Sequence, residues 1–101
     1  MVYVFLADGF EEIEALTPID ILRRAGVSVT SVGVTGKTVT GSHGISVEAD
    51  ITESEAADAL SRADIEAVVL PGGMPGADNL NASSVVEKYI SAAKDCGAFI
   101  A

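Results

Sequence analysis

The chain alternates between short apolar runs and longer stretches with helical spacing. Four runs are either apolar throughout or alternate apolar with small polar residues, which predicts strands of a sheet covered on both faces. These runs are residues 2–7, 27–34, 67–70 and 98–101. Helices are predicted where apolar residues recur at three and four positions, or follow a capping signature: 11–25, 53–60 and the segment between Ser84 and Gly97. Residues 37–40 and 45–48 are expected to pair as a hairpin. This order predicts an α/β fold with a doubly wound, mostly parallel sheet and helices on both faces.

A proline inside the first helical stretch leaves two interpretations open. If the helix starts at Glu11, Pro18 lacks the N–H that would bond the carbonyl of Glu14, and the helix should bend. Alternatively, Thr17 caps a helix that begins at Pro18, and residues 11–16 form a separate turn. Either way, the backbone near Glu14 is expected to be irregular.

Capping residues predict the ends of the later helices. Thr52 and Glu55 have the spacing of a capping box, which predicts that a helix starts at residue 53. Asn81 or Ser84 is expected to cap the last helix, since Ser84 also opens a capping box. Gly97 is expected to end that helix.

Charge and composition exclude several classes of function. The net charge of −9, from 15 acidic and 6 basic residues, argues against nucleic acids and anionic membrane surfaces as partners. No apolar run approaches the roughly 20 residues of a membrane span, and no signal peptide is expected. The single cysteine, Cys96, excludes an internal disulfide and fits a reducing cytoplasm.

The candidate chemistry lies in residues 71–77 (PGGMPGA), directly after a predicted buried strand. Ligands of open parallel sheets bind at the carboxyl ends of the strands. Gly72 and Gly73 have no Cβ, so their N–H groups can face a ligand or an oxyanion. The alternative is a tight turn without chemistry. Neither a Walker loop nor a dinucleotide fingerprint is present, so no cofactor is expected.

Other polar residues are weaker candidates. Asp8 follows the first strand at the same edge and is expected to form a turn. Asn79 either orients the glycine loop or begins a helix. His43 is the sole histidine, and no second ligand has metal-site spacing, so no metal is expected. Tyr89 lies on an apolar stripe and is expected in the core.

Three segments together resemble the DJ-1/ThiJ/PfpI family, in its DJ-1-like branch. They are LADGFEEIEALTPIDILRRAGVSVT at 6–30, AVVLPGGMPGADNL at 67–80 and GAFIA at 97–101. The resemblance spans the chain in order and implies a flavodoxin-like fold, usually in a homodimer. It also implies that residues 1–101 are the N-terminal part of a single domain whose C-terminal elements are missing.

The resemblance also implies site residues. Glu14 corresponds to the glutamate that hydrogen-bonds a nucleophilic cysteine, and it is expected to be buried and protonated for that purpose. Gly73 corresponds to the oxyanion amide, with Gly72 shaping the approach. His43 stands where close relatives often carry an anion-binding arginine, which makes it a candidate substrate-binding residue.

The nucleophile implied by the resemblance is not among these residues. It would stand three positions beyond Ala101, in the C-terminal segment of the same domain. Cys96 is no substitute, because it ends a helix beside Asp95, whose negative charge disfavours a reactive thiolate. The resemblance implies a cysteine-dependent enzyme acting on small aldehydes such as methylglyoxal, without glutathione. The alternatives are a non-enzymatic redox sensor or chaperone, and a flavodoxin-like binding module.

Overall fold

The computed structural model describes all 101 residues as seven strands and four helices. The strands are β1 (Val2–Leu6), β2 (Val29–Gly33), β3 (Thr38–Thr40), β4 (Ser46–Glu48), β5 (Ile51–Thr52), β6 (Ala67–Val69) and β7 (Phe99–Ile100). The helices are α1 (Glu12–Arg24), α2 (Glu53–Ala59), α3 (Gly76–Asn81) and α4 (Ser84–Cys96), with a short 3-10 helix at Leu60–Arg62.

Five strands form one parallel sheet in the order β5–β2–β1–β6–β7. The remaining two, β3 and β4, form the predicted antiparallel hairpin outside it. The chain moves outward from β1 to β2 on one side, and later continues through β6 and β7 on the other. A crevice opens at the carboxyl ends of the strands where the winding reverses, which here is between β1 and β6.

The side chains of β1 alternate between the two faces of the sheet, because successive residues of a strand point to opposite sides. One face packs against α1 and the hairpin, and its buried residues are Val2, Val4, Leu6, Phe10, Ala15, Ile19 and Val39. The other face packs against α2, α3 and α4, and its buried residues include Tyr3, Phe5, Ala7, Val68, Tyr89 and Ala93. The predicted doubly wound fold is therefore confirmed.

The first helix is continuous, with Pro18 inside it. The carboxylate of Glu11 accepts hydrogen bonds from the N–H groups of Ile13 and Glu14. These bonds satisfy amides that a helix start otherwise leaves unpaired, so the helix begins upstream of the proline. The interpretation in which Thr17 caps a helix starting at Pro18 is wrong.

The last helix is capped by Ser83, whose Oγ accepts a hydrogen bond from the N–H of Val86 at 3.2 Å. The prediction of Asn81 or Ser84 as the cap is wrong. Ser83 keeps an extended backbone, which a cap requires, whereas Ser84 is already helical. The short elements α3 and β5 were not predicted.

The other predicted helix ends are confirmed. Thr52 and Glu55 form the capping box at the start of α2. Gly97 ends α4 in the left-handed conformation, with φ +76°. None of the helices combines the length and the apolar character needed to cross a lipid bilayer.

Tyr89 is fully buried in the core, as predicted, and its hydroxyl donates a hydrogen bond to the carbonyl of Ala56 at 2.7 Å. Burial raises the pKa of Tyr89 to about 12, so the hydroxyl keeps its proton. Tyr89→Phe preserves the ring but removes this donor, and we expect a loss of about 1 to 2 kcal/mol in the free energy of unfolding. Urea denaturation measures the loss; an unchanged midpoint would show that the bond contributes nothing.

Candidate active site

The loops that follow β1 and β6 lie against each other at the carboxyl edge of the sheet. A Cβ on Gly73 would lie 2.6 Å from the nitrogen of Glu11 and 2.7 Å from the carbonyl oxygen of Gly9. A Cβ on Gly76 would lie 2.7 Å from the nitrogen of Phe10. Only glycine permits this backbone contact, which explains the glycine-rich sequence after β6.

Glu14 and Gly72 meet at this edge. The Oε1 atom of Glu14 accepts a hydrogen bond from the N–H of Gly72 at 2.9 Å. The N–H of Glu11 donates to the carbonyl of Gly72 at 2.8 Å, so the start of α1 holds both backbone groups of that glycine. A Cβ on Gly72 would lie 2.7 Å from Glu14 Oε1, so a side chain at residue 72 would displace the Glu14 carboxylate from this contact.

The side chain of Glu14 is exposed within residues 1–101, whereas the resemblance implies a buried acid in the complete domain. The reason is that one side of the carboxylate faces Gly72, while the other faces an open depression of about 410 Å³. The residues that line this depression are Ile13, Glu14, Thr17, Pro18, Val69, Leu70, Pro71 and Ala101.

The N–H of Gly73 makes no hydrogen bond within the chain. Its carbonyl accepts a hydrogen bond from the N–H of Ala77 at 2.9 Å, and its φ is +97°. The N–H of Gly73 shares a planar trans peptide with the carbonyl of Gly72, so the bond from Glu11 to that carbonyl fixes the direction of the free N–H. Gly73 thus presents an unpaired donor next to the residue that Glu14 contacts, as an oxyanion site requires.

Strand β7 extends to the same edge beside β6. The N–H of Ala101 donates to the carbonyl of Val68 at 2.9 Å, and the N–H of Leu70 donates to the carbonyl of Ala101 at 2.8 Å. Residue 101 therefore lies opposite Val69, three positions before the level of Gly72 on the neighbouring strand.

Asp8 has the turn role that the sequence predicts. Its carboxylate accepts a hydrogen bond from the N–H of Thr40 at 3.0 Å, and its N–H donates to Thr35 Oγ1. Asn79 on α3 donates from Nδ2 to the carbonyl of Asp8 at 2.9 Å. The loop after β1 is thus fixed between the hairpin on one side and α3 on the other.

His43 lies on the hairpin turn and faces a different residue, Glu12. The His43 Nδ1 atom is 3.0 Å from Glu12 Oε1, while Glu12 Oε2 accepts from the N–H groups of His43 at 2.8 Å and Ile45 at 3.3 Å. His43 does not line the depression beside Glu14. Its part in substrate binding stays a prediction.

The Glu12 side chain is only 6% exposed, while that of His43 is 73% exposed. Desolvation by burial raises the pKa of Glu12, but the hydrogen bonds from His43 and from nearby backbone N–H groups outweigh it and bring the pKa down to about 2. The hydrogen bond to Glu12 and its negative charge raise the pKa of His43. Sequence reasoning missed Glu12, because three glutamates stand within four residues.

One cluster of residues has the composition of a metal site. One donor atom each from Glu11, Glu12 and His43 lies within 4.8 Å of the others. The Glu11 carboxylate already accepts two N–H groups of α1, and the Glu12 carboxylate accepts those of the hairpin. Hydrogen bonding within the chain therefore accounts for this cluster.

Comparison with known proteins identifies the family. The model of the DJ-1/PfpI family matches residues 1–101. The chain belongs to the DJ-1/PfpI family. It is 40% identical over 88 residues to the Parkinson disease protein 7 homolog of Danio rerio, which covers 86% of this chain and 45% of that protein. It is also 38% identical over 71 residues to protein/nucleic acid deglycase 2 of Escherichia coli (strain K12), which covers 69% and 40%.

Solved DJ-1 structures share this fold. The oxidised DJ-1 of Toxoplasma gondii superposes with a TM-score of 0.89 at 35% identity, covering 98% of this chain and 52% of that one. The chain spans about half the length of the Danio rerio protein and of the Toxoplasma gondii DJ-1, so its flavodoxin-like fold is incomplete relative to theirs. Membership in the DJ-1/PfpI family confirms the resemblance in the sequence; the roles of Glu14, Gly72, Gly73 and His43 stay predictions.

Proposed function

We propose that the complete protein is a cysteine-dependent enzyme acting on small reactive carbonyls, such as methylglyoxal or the adducts that such aldehydes form. The observation that carries this proposal is the unpaired N–H of Gly73 beside the Glu14–Gly72 contact. An acid and an oxyanion donor at one sheet edge are the groups that carbonyl addition needs. The deglycase of E. coli among the relatives supports the class of reaction.

The nucleophile is proposed to be a cysteine just beyond Ala101. Strand β7 runs parallel to β6 and approaches the edge that carries Gly72. Residues that follow β7 would therefore reach the level of Glu14 and Gly73. In the same proposal, residues 1–101 form one domain with the C-terminal half, which covers the edge strand where Phe99 is 81% exposed.

The proposed step combines the cysteine beyond Ala101 with Glu14 and Gly73. The thiolate attacks the aldehyde carbon, a C–S bond forms, and the π electrons of the carbonyl move onto its oxygen. The N–H of Gly73 stabilises this oxyanion, and Glu14 transfers a proton to it. The thiolate is the attacking species, so a hydrogen bond donated by the Glu14 carboxyl group would stabilise it before the attack.

A turnover assay on the full-length protein tests the proposal. We expect methylglyoxal to be consumed over many cycles without glutathione, and replacement of the cysteine beyond Ala101 to stop the reaction. Consumption limited to one equivalent per protein chain would contradict an enzymatic role.

A redox sensor is the second candidate, and the oxidised state of the similar Toxoplasma gondii DJ-1 favours it. In that case the cysteine would be oxidised to a sulfinate that Glu14 stabilises. Peroxide titration followed by intact mass would then show stoichiometric addition of oxygen, with no catalytic consumption of methylglyoxal.

A homodimer and a cytoplasmic location are part of the proposal. Ile13 on α1 and Ile45 on the hairpin turn are 71% and 52% exposed and line the same depression, so they offer an apolar patch to a second copy. Sedimentation should show a dimer of the full-length protein that Ile13→Asp weakens; a monomeric wild type would contradict the proposed dimer.

The free thiol of Cys96 fits the reducing compartment of the proposed cytoplasmic location.

A further inference from the structure

The turn of the β3–β4 hairpin, residues 41–45, is held on the first turn of α1 by one buried side chain. The carboxylate of Glu12 accepts hydrogen bonds from the N–H of His43, the N–H of Ile45 and the His43 ring. No other side chain of α1 bonds to this hairpin tip. Glu12 is therefore its main polar attachment.

The hairpin tip is shaped around this carboxylate. A Cβ on Gly41 would lie 2.4 Å from the Glu12 carboxyl carbon, so only glycine leaves room for the buried acid. The N–H of Ser42 donates to the carbonyl of Phe10 at 2.8 Å, which adds one backbone attachment next to it. The docked position of the tip thus depends on Glu12 being present and ionised.

The charges around His43 have one sign. The charged groups that face its ring are Glu12 and Glu11, both on α1. On the hairpin itself, the neighbour of Nδ1 is the neutral hydroxyl of Ser42 at 3.2 Å. A positive ring is therefore favoured over a neutral one, since two carboxylates face it and no cation opposes it.

We propose that Glu12 and His43 form a proton-dependent latch, in which the imidazolium ring docks the hairpin tip on α1 and loss of its proton loosens the tip. This latch is independent of carbonyl chemistry and of the cysteine. It adds a conformational device to the fold at a place where the sequence predicts only a substrate contact.

The pH window follows from the directions of the two shifts. Glu12, with its pKa lowered to about 2, stays ionised throughout the physiological range. His43 has a raised pKa, so its contribution is complete below the unfolded value of about 6.5 and is lost as the pH rises through the folded value. The latch is therefore closed below about pH 6.5 and loosens as the pH rises through the raised pKa of His43.

Loosening of the hairpin tip would affect the candidate site, because backbone hydrogen bonds connect the hairpin to the loop after β1. Ser42 supports the carbonyl of Phe10, and the carbonyl of Thr40 accepts the N–H of Gly9 at 2.8 Å. Gly9 and Phe10 are the residues against which Gly73 lies. The latch thus supports one wall of the crevice from the side opposite to the glycine loop.

Solution NMR on the full-length protein tests the latch. We expect the His43 ring to titrate above about 6.5, and the protection factors of the His43 and Ile45 amides to fall about threefold to tenfold between about pH 6 and pH 9. Glu12→Gln should return the His43 pKa toward about 6.5 and reduce this protection at every pH. His43→Asn keeps a donor without the positive charge, so the pH dependence should disappear and the protection should stay at the lower, high-pH level throughout.

Glu11→Gln is the matched control, because it changes the neighbouring carboxylate in the same helical turn. It removes only the smallest of the contributions that raise the His43 pKa, so the amides of His43 and Ile45 should stay protected, while one of the two amides that Glu11 caps, Ile13 or Glu14, loses its acceptor oxygen. An ordinary His43 pKa in the wild type would overturn the proposal. A pH-dependent loss of protection that persists in His43→Asn would also overturn it. Because His43→Asn retains Glu12, this test remains possible even if Glu12→Gln does not fold.

Discussion

Gly73→Ala is expected to destabilise the protein by about 3 kcal/mol or more and to lower the turnover of methylglyoxal by the full-length protein about 100-fold or more. Two costs combine at this position. The residue has φ +97°, which costs an L-residue about 1 to 2 kcal/mol, and the new Cβ would lie within 3 Å of backbone atoms of Gly9 and Glu11. Displacing the loop would also redirect the N–H proposed to bind the oxyanion.

Gly26→Ala provides the matched control for Gly73→Ala. Gly26 has a similar positive φ of +81°, but a Cβ there meets no atom within 4 Å. It should therefore show the conformational cost alone, about 1 to 2 kcal/mol, with unchanged turnover. Chemical denaturation and kcat/KM measure the two effects; equal losses for both variants would show that the contact between the loops has no special role.

Glu14→Gln is expected to lower kcat of the full-length protein by a factor of about 100 to 10,000, the range for loss of a general acid–base group. The amide oxygen of glutamine can still accept the hydrogen bond from the N–H of Gly72, so the loop should keep its position. The proton-transferring carboxyl group is lost. We therefore expect the effect in kcat, with a change of less than about 1 kcal/mol in stability.

Asp20→Asn is the control for the loss of one negative charge on α1. Asp20 is exposed and pairs with Arg24 one turn along the helix, away from the crevice. This variant should retain wild-type kcat and KM. If Glu14→Gln behaves like Asp20→Asn, Glu14 takes no part in proton transfer.

The glycine loop could be predicted from the sequence because its requirements are local. The apolar run ending at Leu70, followed by Pro71 and two glycines, indicates a strand that stops at a ligand edge. The helix ends at Thr52 and Gly97 could be predicted for the same reason, because their capping hydrogen bonds join residues within four positions of each other. In each case the physical cause lies next to the signal.

The sequence alone does not distinguish the roles of Glu11, Glu12 and Glu14. Glu12 and Glu14 point about 200° apart around the helix, so they face different loops. Which loop each one meets depends on how α1 lies between the hairpin and the glycine loop, and helical spacing does not contain that information. The structure assigns Glu11 to the helix cap, Glu12 to the hairpin tip and Glu14 to Gly72.

Tertiary contacts also explain the elements that were predicted wrongly or not at all. Helix α3 spans six residues without a capping side chain, and the bond from Asn79 to Asp8 holds it in place. Pro18 is tolerated within α1 because the Glu11 cap and the buried side chains of Ala15 and Ile19 stabilise the helix on both sides of it. Neither cause is visible in local propensity.

The pH dependence of alkylation most directly tests the claim that Glu14 and the glycine loop activate a thiol from beyond Ala101. Iodoacetamide reacts with the thiolate, so its rate constant against pH gives the pKa of the cysteine beyond Ala101 when the exposed Cys96 is replaced by serine in every protein compared. We predict a pKa well below about 8.5 in the wild type, and a higher one in Glu14→Gln. Superimposable profiles for the two proteins would contradict the account.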